Sequence, residues 1–387
     1  MTNRYYAILR DVTETGSPII YMRGRIFSYH IYGPFWNELT KLMNEEKQSI
    51  HKPQPPIISM EDVTWIDSAV IPLFLSSCLI LKEHYETPIQ FIHPIKDDIR
   101  NYLFYSKFNS IVMGYRNYIK MDSKKILEID ENEAKLFHTE KKGINKGNLM
   151  KPLDPDDKYY VLSPNERERR KLDILSGFIK NISNGPFGNI LLDAFGAYND
   201  EFDRCVETLA ELICNAFLYS KSEAFLNIQM KSKSEYYFTV SDSGIGFFNS
   251  IILKNVKIED ETQWIDPLES KNSLDTDIAE SIANLQYLDE FFAFFTAVQN
   301  SNKTQRTNLS KLISQITNIG GTVKIHFDRF LLNFWGTDTY YASNAEPYSW
   351  MNYILRRYSY NYAESPLCIY KSKRFKGVHI EVIFKKE

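Results

Sequence analysis

Two polar side chains interrupt the apolar segment ELICNAFLYS, which runs from Glu211 to Ser220. Glu211 and Asn215 are four residues apart, so on a helix their side chains project from the same face. Their neighbours are mostly large and apolar, as in a helix that packs against a core. The pair therefore either satisfies local hydrogen bonds at the solvent-facing edge of a buried helix or faces a binding site.

A second polar segment, FTVSDSGIGF, follows downstream and runs from Phe238 to Phe247. Its alternating strand pattern leads directly into Asp242, Gly244 and Gly246. Glycine lets the backbone pass close to a ligand, and a carboxylate at a strand end can accept a hydrogen bond. Alone, D-x-G-x-G is typical of a turn whose glycine adopts a positive φ. Its combination with E-L-x-x-N-A on a preceding helix makes the pattern specific.

Together these segments resemble the N-box and first glycine box of the GHKL ATPases, the superfamily of gyrase B, MutL, sensor histidine kinases and anti-sigma-factor kinases. The resemblance covers roughly residues 170–387 and implies a site for ATP and Mg²⁺. It implies that Asn215 is the Mg²⁺ ligand and that Glu211 is the general base. It also implies that Asp242 binds the exocyclic amine of adenine, with Gly244 and Gly246 beside the nucleotide.

The chemistry of these residue types agrees with that resemblance. Mg²⁺ prefers oxygen ligands and usually takes few from protein, the rest coming from phosphates and water. One amide oxygen, from Asn215, together with a triphosphate meets this need. A carboxylate one helical turn away, on Glu211, can activate a water or an acceptor hydroxyl near the γ-phosphate.

Three departures from the family pattern bear on turnover. The second glycine box is replaced by QRTNLSKL, Gln305–Leu312, which contains no glycine. Lys303 and Arg306 are candidates to supply phosphate-binding charge there, the alternative being that both are solvated lid residues. The final strand enters with Gly377 followed by valine rather than threonine, and Tyr219 stands where the family often has histidine. The residues therefore support ATP binding better than ATP hydrolysis.

The N-terminal part contains VTWIDSAVIPLFL, Val63–Leu75, which is similar to the strand–D-S-S-G–helix element of STAS domains. The resemblance spans about residues 1–115 and implies an interaction domain that docks a protein partner. STAS domains are the fold of anti-sigma-factor antagonists, which are phosphorylated at the second serine of D-S-S. That position is Ala69 here, and the position of the family's glycine is Val70. Ser68 is expected to be a helix N-cap rather than a phosphorylation site.

The surrounding patterns predict a mixed α/β (α+β) chain of two domains. Strand and helix patterns alternate over residues 1–115, which predicts a small STAS-like β/α domain. Residues 116–165 are charged and rich in glycine and proline, as in a linker with peripheral elements. Residues 166–387 begin with a helix capped by Ser163. They are predicted to form a GHKL-type α/β sandwich, with helices on one face of a mixed sheet.

The composition of this chain of 387 residues argues against nucleic-acid binding, membrane spanning and a disulfide framework. A net charge of −3 gives no electrostatic case for nucleic-acid binding, which normally uses a basic face, so none is expected. The longest apolar run, Ala69–Leu81, is shorter than the roughly 20 residues that span a bilayer. With no apolar signal core at the N-terminus, we expect a soluble cytoplasmic protein without membrane binding. No C-x-x-C pair occurs, so free thiols are expected at the four cysteines, Cys78, Cys205, Cys214 and Cys368.

The sequence therefore predicts a cytoplasmic regulator in which bound Mg-ATP controls the docking of a protein partner. ATP hydrolysis or Ser/Thr phosphotransfer to a protein is the accompanying chemistry. The alternative is a non-catalytic nucleotide-sensing adaptor that acts through the STAS-like domain, favoured by the missing second glycine box. Histidine autophosphorylation is not expected, because His138 lies in the linker-like region. A DNA-linked ATPase like gyrase B or MutL is not expected, because such a protein needs a transducer domain after the nucleotide fold. Both families pair readily, so a homodimer is compatible with the sequence.

Overall fold

The computed structural model describes thirteen stretches of the chain: residues 7–46, 54–112, 126–128, 148–153, 155–156, 158–195, 199–232, 235–256, 288–302, 309–336, 347–360, 367–370 and 375–385. These residues form two compact units, and the main boundary between the units lies between residues 152 and 153. The segment Phe225–Gln229 groups with the first unit, as does Phe375, and the remaining later residues form the second.

A five-stranded mixed sheet forms the centre of the first unit, in the order β1-β2-β3-β4-β5. Its strands are β1 (Ile8–Val12), β2 (Pro18–Ile26), β3 (Ile57–Ile66), β4 (Ile89–Ile92) and β5 (Leu127–Glu128). β1 is antiparallel to β2, whereas the later neighbours are parallel, an arrangement that needs crossover connections. The helical segments are α1 (Ser28–His30), a π-helical turn (Ile31–Phe35), α2 (Trp36–Glu46), α3 (Val70–Tyr85), α4 (Asp97–Tyr105) and α5 (Phe108–Val112).

Helix α3 is apolar around most of its circumference because it lies inside the core of this unit. The Phe74 ring lies 6.1 Å from that of Phe35, 5.9 Å from Phe91 and 6.3 Å from Phe108, measured between centroids. Such ring contacts add to the free energy of burying the rings. The alternating strand and helix patterns predicted for residues 7–112 are confirmed.

The start of α3 differs from the expectation in one respect. The helix begins at Val70 with Ala69 at the N-cap position. The Asp67 carboxylate accepts a hydrogen bond from the Ala69 backbone N–H at 3.1 Å, while the Ser68 side chain is buried. The expectation that Ser68 is the N-cap is therefore wrong, because the preceding carboxylate satisfies the free donor instead.

A second sheet has seven strands in the order β11-β10-β9-β12-β8-β7-β6. Its strands are β6 (Asn148–Leu153), β7 (Ala224–Ser232), β8 (Glu235–Asp242), β9 (Thr322–Asp328), β10 (Phe330–Phe334), β11 (Leu367–Ile369) and β12 (Phe375–Lys385). β12 runs antiparallel to β8, and β10 runs antiparallel to both β9 and β11. The fold is thus mixed α/β, with a mixed sheet and helices.

The helices of the second unit contain the segments that the sequence singled out. They are α6 (Pro164–Ser183), α7 (Pro186–Phe195), α8 (Asp200–Tyr219), α9 (Gly246–Val256), α10 (Leu288–Asn302), α11 (Leu309–Asn318) and α12 (Pro347–Tyr360), with a 3-10 turn at Tyr159–Val161. The predicted start of α6 is confirmed, since Ser163 is its N-cap and its backbone N–H donates to Glu166 Oε2 at 2.9 Å. The Asn199 side chain caps α8 by accepting from Phe202 N–H at 2.8 Å.

One face of the second sheet packs against aromatic side chains from the helices. The Phe294 ring of α10 lies 5.3 Å from that of Phe327 and 6.3 Å from that of Phe334. Along β8, successive side chains alternate between the two faces, so Asp242 and Ser241 point to opposite sides. The four cysteines are free thiols, as expected. Among the described helices, none combines the length and apolar character needed to cross a membrane.

Candidate functional site

Helix α8 presents Glu211, Asn215 and Tyr219 on one face, each one turn from the next. Glu211 is only 1% exposed, and its Oε1 accepts a hydrogen bond from Lys171 Nζ at 2.9 Å. Glu211 Oε2 and Asn215 Oδ1 are buried and have no hydrogen-bond partner among the described residues. Because buried polar atoms are normally paired, these two oxygens are candidates for contact with a ligand or cation.

Opposing effects set the charge state of the Glu211–Lys171 pair. Burial raises the pKa of Glu211, and the nearby Lys171 ammonium only partly reverses that rise. Burial lowers the pKa of Lys171, but the Glu211 carboxylate outweighs burial and leaves this pKa above its ordinary value. A carboxylate with a raised pKa is a stronger base than an exposed glutamate, which suits proton abstraction.

Tyrosine side chains support the end of α8. The ring of Tyr219 meets that of Tyr159 edge to face at 5.2 Å, and Lys171 Nζ lies 5.9 Å from the Tyr219 ring centroid. The Tyr160 hydroxyl donates to the Tyr219 carbonyl oxygen at 2.9 Å and lies equally close to Ser250 Oγ. Sequence reasoning missed this support, because Tyr159 and Tyr160 fall in the segment predicted to be linker. Two adjacent aromatic residues in a polar stretch were the available signal.

The carboxyl group of Asp242 ends strand β8 and is held by backbone donors. Its Oδ1 accepts from Gly244 N–H at 2.9 Å and from Val378 N–H at 3.4 Å. The residue is buried, and burial raises the pKa of Asp242 to about 7. Since both donors engage one oxygen, the carboxyl group has a fixed orientation, with Oδ2 directed away from them.

The loop from Asp242 to Gly246, called the glycine loop below, packs against the end of α8. Ile245 N–H donates to Ser220 O at 2.9 Å. A Cβ added to Gly244 would lie 2.0 Å from the same carbonyl oxygen, so this contact requires glycine. Gly246 has a φ of +71°, which also favours glycine. The structure therefore brings the glycine loop onto the helix that carries Glu211 and Asn215.

Strand β12 contributes a further close approach at Gly377. This residue has a φ of +112°, and a Cβ added to it would lie 2.1 Å from the Asp242 carbonyl oxygen. Only glycine fits here, both for its backbone conformation and for the lack of space. Gly377 thus belongs to the same site as Asp242, although the sequence drew attention to it only for the missing threonine beside it.

The residues predicted to contact phosphate stay a prediction. Lys303 and Arg306 lie outside the described residues, as does His138. Of the segment Gln305–Leu312, the described part starts at residue 309, within helix α11.

A second polar cluster, which the sequence did not reveal, lies on the face of the sheet opposite Asp242. This His–Glu cluster consists of His326 on β9 with His379 and Glu381 on β12, all of them buried. Burial lowers the pKa of His326 to about 4, so its imidazole is neutral at pH 7. Burial acts to raise the pKa of Glu381, but Lys324 and the two histidines outweigh it and keep that pKa well below its usual range. Same-face spacing on the strands, K-x-H and H-x-E, was the available signal.

No family model matches the chain. Neither a curated protein nor a solved structure matches it at a significant level. The comparisons identify no family.

Proposed function

We propose that the second unit binds Mg-ATP in a GHKL-like pocket formed by α8, the glycine loop and the start of β12. One observation carries this proposal. The glycine loop docks on Ser220, at the end of the helix that bears Glu211 and Asn215, through an approach that only Gly244 permits. Two motifs distant in sequence thereby contribute to one site in the way a nucleotide pocket requires.

Asn215 is the proposed Mg²⁺ ligand. Its Oδ1 has no hydrogen-bond partner among the described residues, which leaves a hard oxygen available for the ion. Because Mg²⁺ dehydrates reluctantly, one protein oxygen with phosphate and water oxygens is a usual coordination for it. ATP binding should therefore depend on Mg²⁺, and the dependence should weaken when Asn215 is changed.

Asp242 is the proposed acceptor for the exocyclic amine of adenine. Two backbone donors hold its Oδ1, so Oδ2 is the atom that would accept from the amine. Such an acceptor must be ionised, and the raised pKa of about 7 makes ionisation incomplete at neutral pH. ATP affinity should therefore fall as the pH is lowered below 7.

Glu211 is the proposed general base, acting through Oε2 on a water or on an acceptor hydroxyl. The chemistry would be ATP hydrolysis or phosphotransfer to a serine or threonine of a protein. Lys171, bound to Oε1 at 2.9 Å, would orient the carboxylate and keep it ionised. In this proposal bound nucleotide controls the docking of a protein partner through the STAS-like first unit of a cytoplasmic protein.

The same ion pair favours a second candidate, a nucleotide-sensing adaptor without turnover. A base whose charge is already compensated by Lys171 has less driving force to take a proton. In the adaptor, Glu211 and Lys171 form a structural pair, and ATP changes only the affinity for the partner.

Calorimetry and single-turnover chemistry test these proposals together. We expect Mg²⁺-dependent ATP binding by the wild type, reduced by Asn215→Ala and unaffected by the control Asn184→Ala, which alters an exposed residue just after α6. Unchanged binding in Asn215→Ala would contradict the metal assignment.

The choice between enzyme and adaptor needs γ-labelled ATP. An enzyme releases labelled phosphate or labels a protein, and Glu211→Gln should abolish that transfer while ATP stays bound. Glu207→Gln, one turn earlier on the same helix, is the matched control and should turn over normally. Bound ATP without any transfer by the wild type would favour the adaptor.

A further inference from the structure

We infer that the His–Glu cluster is a Zn²⁺ site, independent of the proposed nucleotide pocket. His326, His379 and Glu381 are 1%, 0% and 2% exposed. Two imidazoles and a carboxylate are a ligand set that zinc commonly takes from proteins. Because the cluster lies on neighbouring strands of a sheet, the backbone holds the three side chains in place.

The distances between the ligand atoms fit a tetrahedral ion. Glu381 Oε1 lies 3.2 Å from His379 Nε2 and 3.5 Å from His326 Nε2. The atoms that the three residues offer all lie within 4.8 Å of one another. Zinc bonds to nitrogen and oxygen of about 2.0–2.1 Å place tetrahedral ligand atoms roughly 3.3–3.4 Å apart. Small side-chain movements would therefore bring all three atoms to bonding distance.

Unpaired buried atoms beside the cluster are a separate observation. His379 Nδ1, Ser241 Oγ and Thr239 Oγ1 are buried and have no hydrogen-bond partner among the described residues. Ser241 lies opposite His379 across the β8–β12 pair, and Thr239 lies opposite Glu381. Ligating histidines usually donate their second N–H to a neighbouring polar group, and these hydroxyls are of the right kind. Hydrogen bonding within the cluster alone leaves all three atoms unexplained.

Lys324 supplies the charge that Zn²⁺ would replace. Its Nζ lies 3.4 Å from Glu381 Oε2, and its side chain is 33% exposed. The ammonium can therefore move towards solvent when an ion binds the carboxylate. The same movement offers a route into a cluster that is otherwise buried.

The test uses the full chain, stripped with a chelator and titrated with Zn²⁺ by calorimetry and with Co²⁺ by visible absorbance. We expect one equivalent of each metal and the intense d–d bands of tetrahedral Co²⁺. Glu381→Gln and His326→Asn should each weaken binding by at least about 100-fold, since even changes to outer-shell partners cost 10–100-fold. His84→Asn, a partly exposed histidine of the first unit, is the control and should bind normally.

Lys324→Met adds a test with the opposite expected result, tighter binding, which loss of folding cannot produce. Removing the competing ammonium should tighten Zn²⁺ binding by about tenfold, a modest effect because the lysine is partly solvated. Absence of binding, binding that survives Glu381→Gln and His326→Asn, or no tightening in Lys324→Met would each overturn the inference. Circular dichroism of every variant establishes that the compared proteins are folded. Asp242→Asn should leave Zn²⁺ binding unchanged, so this result and the nucleotide result can fail separately.

Discussion

Asparagine in place of Asp242 should stabilise the protein at alkaline pH. Burial raises the pKa of this carboxyl group from 3.8 to about 7. An acid with a raised pKa is one whose charged form the fold disfavours. Asp242→Asn keeps an oxygen that can accept from Gly244 and Val378 N–H but removes the charge, so the cost of ionisation inside the protein disappears.

The size of the effect follows from proton linkage. Between pH 5 and pH 7 the folded protein keeps a proton on Asp242 that the unfolded chain has already released. The free energy of unfolding of the wild type therefore falls as the pH rises, and it levels off above pH 7. At about 1.36 kcal/mol for each of these two pH units, the fall that Asp242 contributes is ~2.7 kcal/mol. Asp242→Asn lacks this contribution.

Urea unfolding of the wild type and of Asp242→Asn without nucleotide, at pH 5 and at pH 8, measures how the pH dependence of their free energies of unfolding differs. The variant should gain about 2–3 kcal/mol relative to the wild type on going from pH 5 to pH 8. Other groups titrate equally in the two proteins and cancel in the comparison. If the free energies of unfolding of the two proteins changed with pH in parallel, ionisation of the buried Asp242 carboxyl group would carry no free-energy cost, and the prediction would be wrong.

The same variant should lose ATP affinity, so stability and binding should change in opposite directions. The backbone donors of Gly244 and Val378 fix the oxygen side of residue 242, which turns the new amide NH₂ towards the ligand. An amide donor facing the adenine amine leaves both donors unpaired, and we expect a loss of about 100-fold. Unchanged ATP affinity in a stabilised variant would contradict the assignment of Asp242 to adenine.

Three further substitutions test the supports of the site. Lys171→Met should lower the free energy of unfolding by about 3 kcal/mol, because it leaves the Glu211 carboxyl buried without its partner; equal urea midpoints would contradict this. Gly377→Ala should cost at least about 2 kcal/mol and abolish ATP binding, since φ is +112° and the Cβ has no space; a variant with normal thermal stability and ATP affinity would refute it. Ser163→Ala should lower stability by about 1 kcal/mol through loss of the N-cap while leaving nucleotide affinity unchanged; thermal unfolding with calorimetry checks both.

Much of the fold could be predicted because its elements have local signals. Helix α8 shows an apolar stripe, β8 alternates up to Asp242, and α11 is followed by a turn at Gly320, where φ is +70°. Strands β10 and β11 and helices α7, α10 and α12 were not singled out by the sequence patterns. Their apolar positions are recognisable as core only once their partners are known, as for Phe294 beside Phe327 and Phe334.

The candidate site was only partly visible in the sequence for a similar reason. Glu211, Asn215 and Asp242 stood out because each breaks an apolar pattern or begins a glycine turn. Lys171 did not, because it lies among basic residues that resemble a solvated face, and only packing shows its ion pair with Glu211.

Strand β12 links the two polar sites, because it approaches Asp242 at Gly377 and also carries His379 and Glu381. Gly377 approaches the Asp242 backbone at the start of the strand, while His379 and Glu381 follow it and lie opposite Ser241 and Thr239 of β8. A slip of one residue in this pairing would exchange the faces, placing polar side chains against the aromatic core. It would also move a residue with a Cβ into the space that only Gly377 fits. The glycine therefore fixes the register on which the nucleotide site and the His–Glu cluster both depend, so Gly377→Ala should weaken Zn²⁺ binding as well as ATP binding.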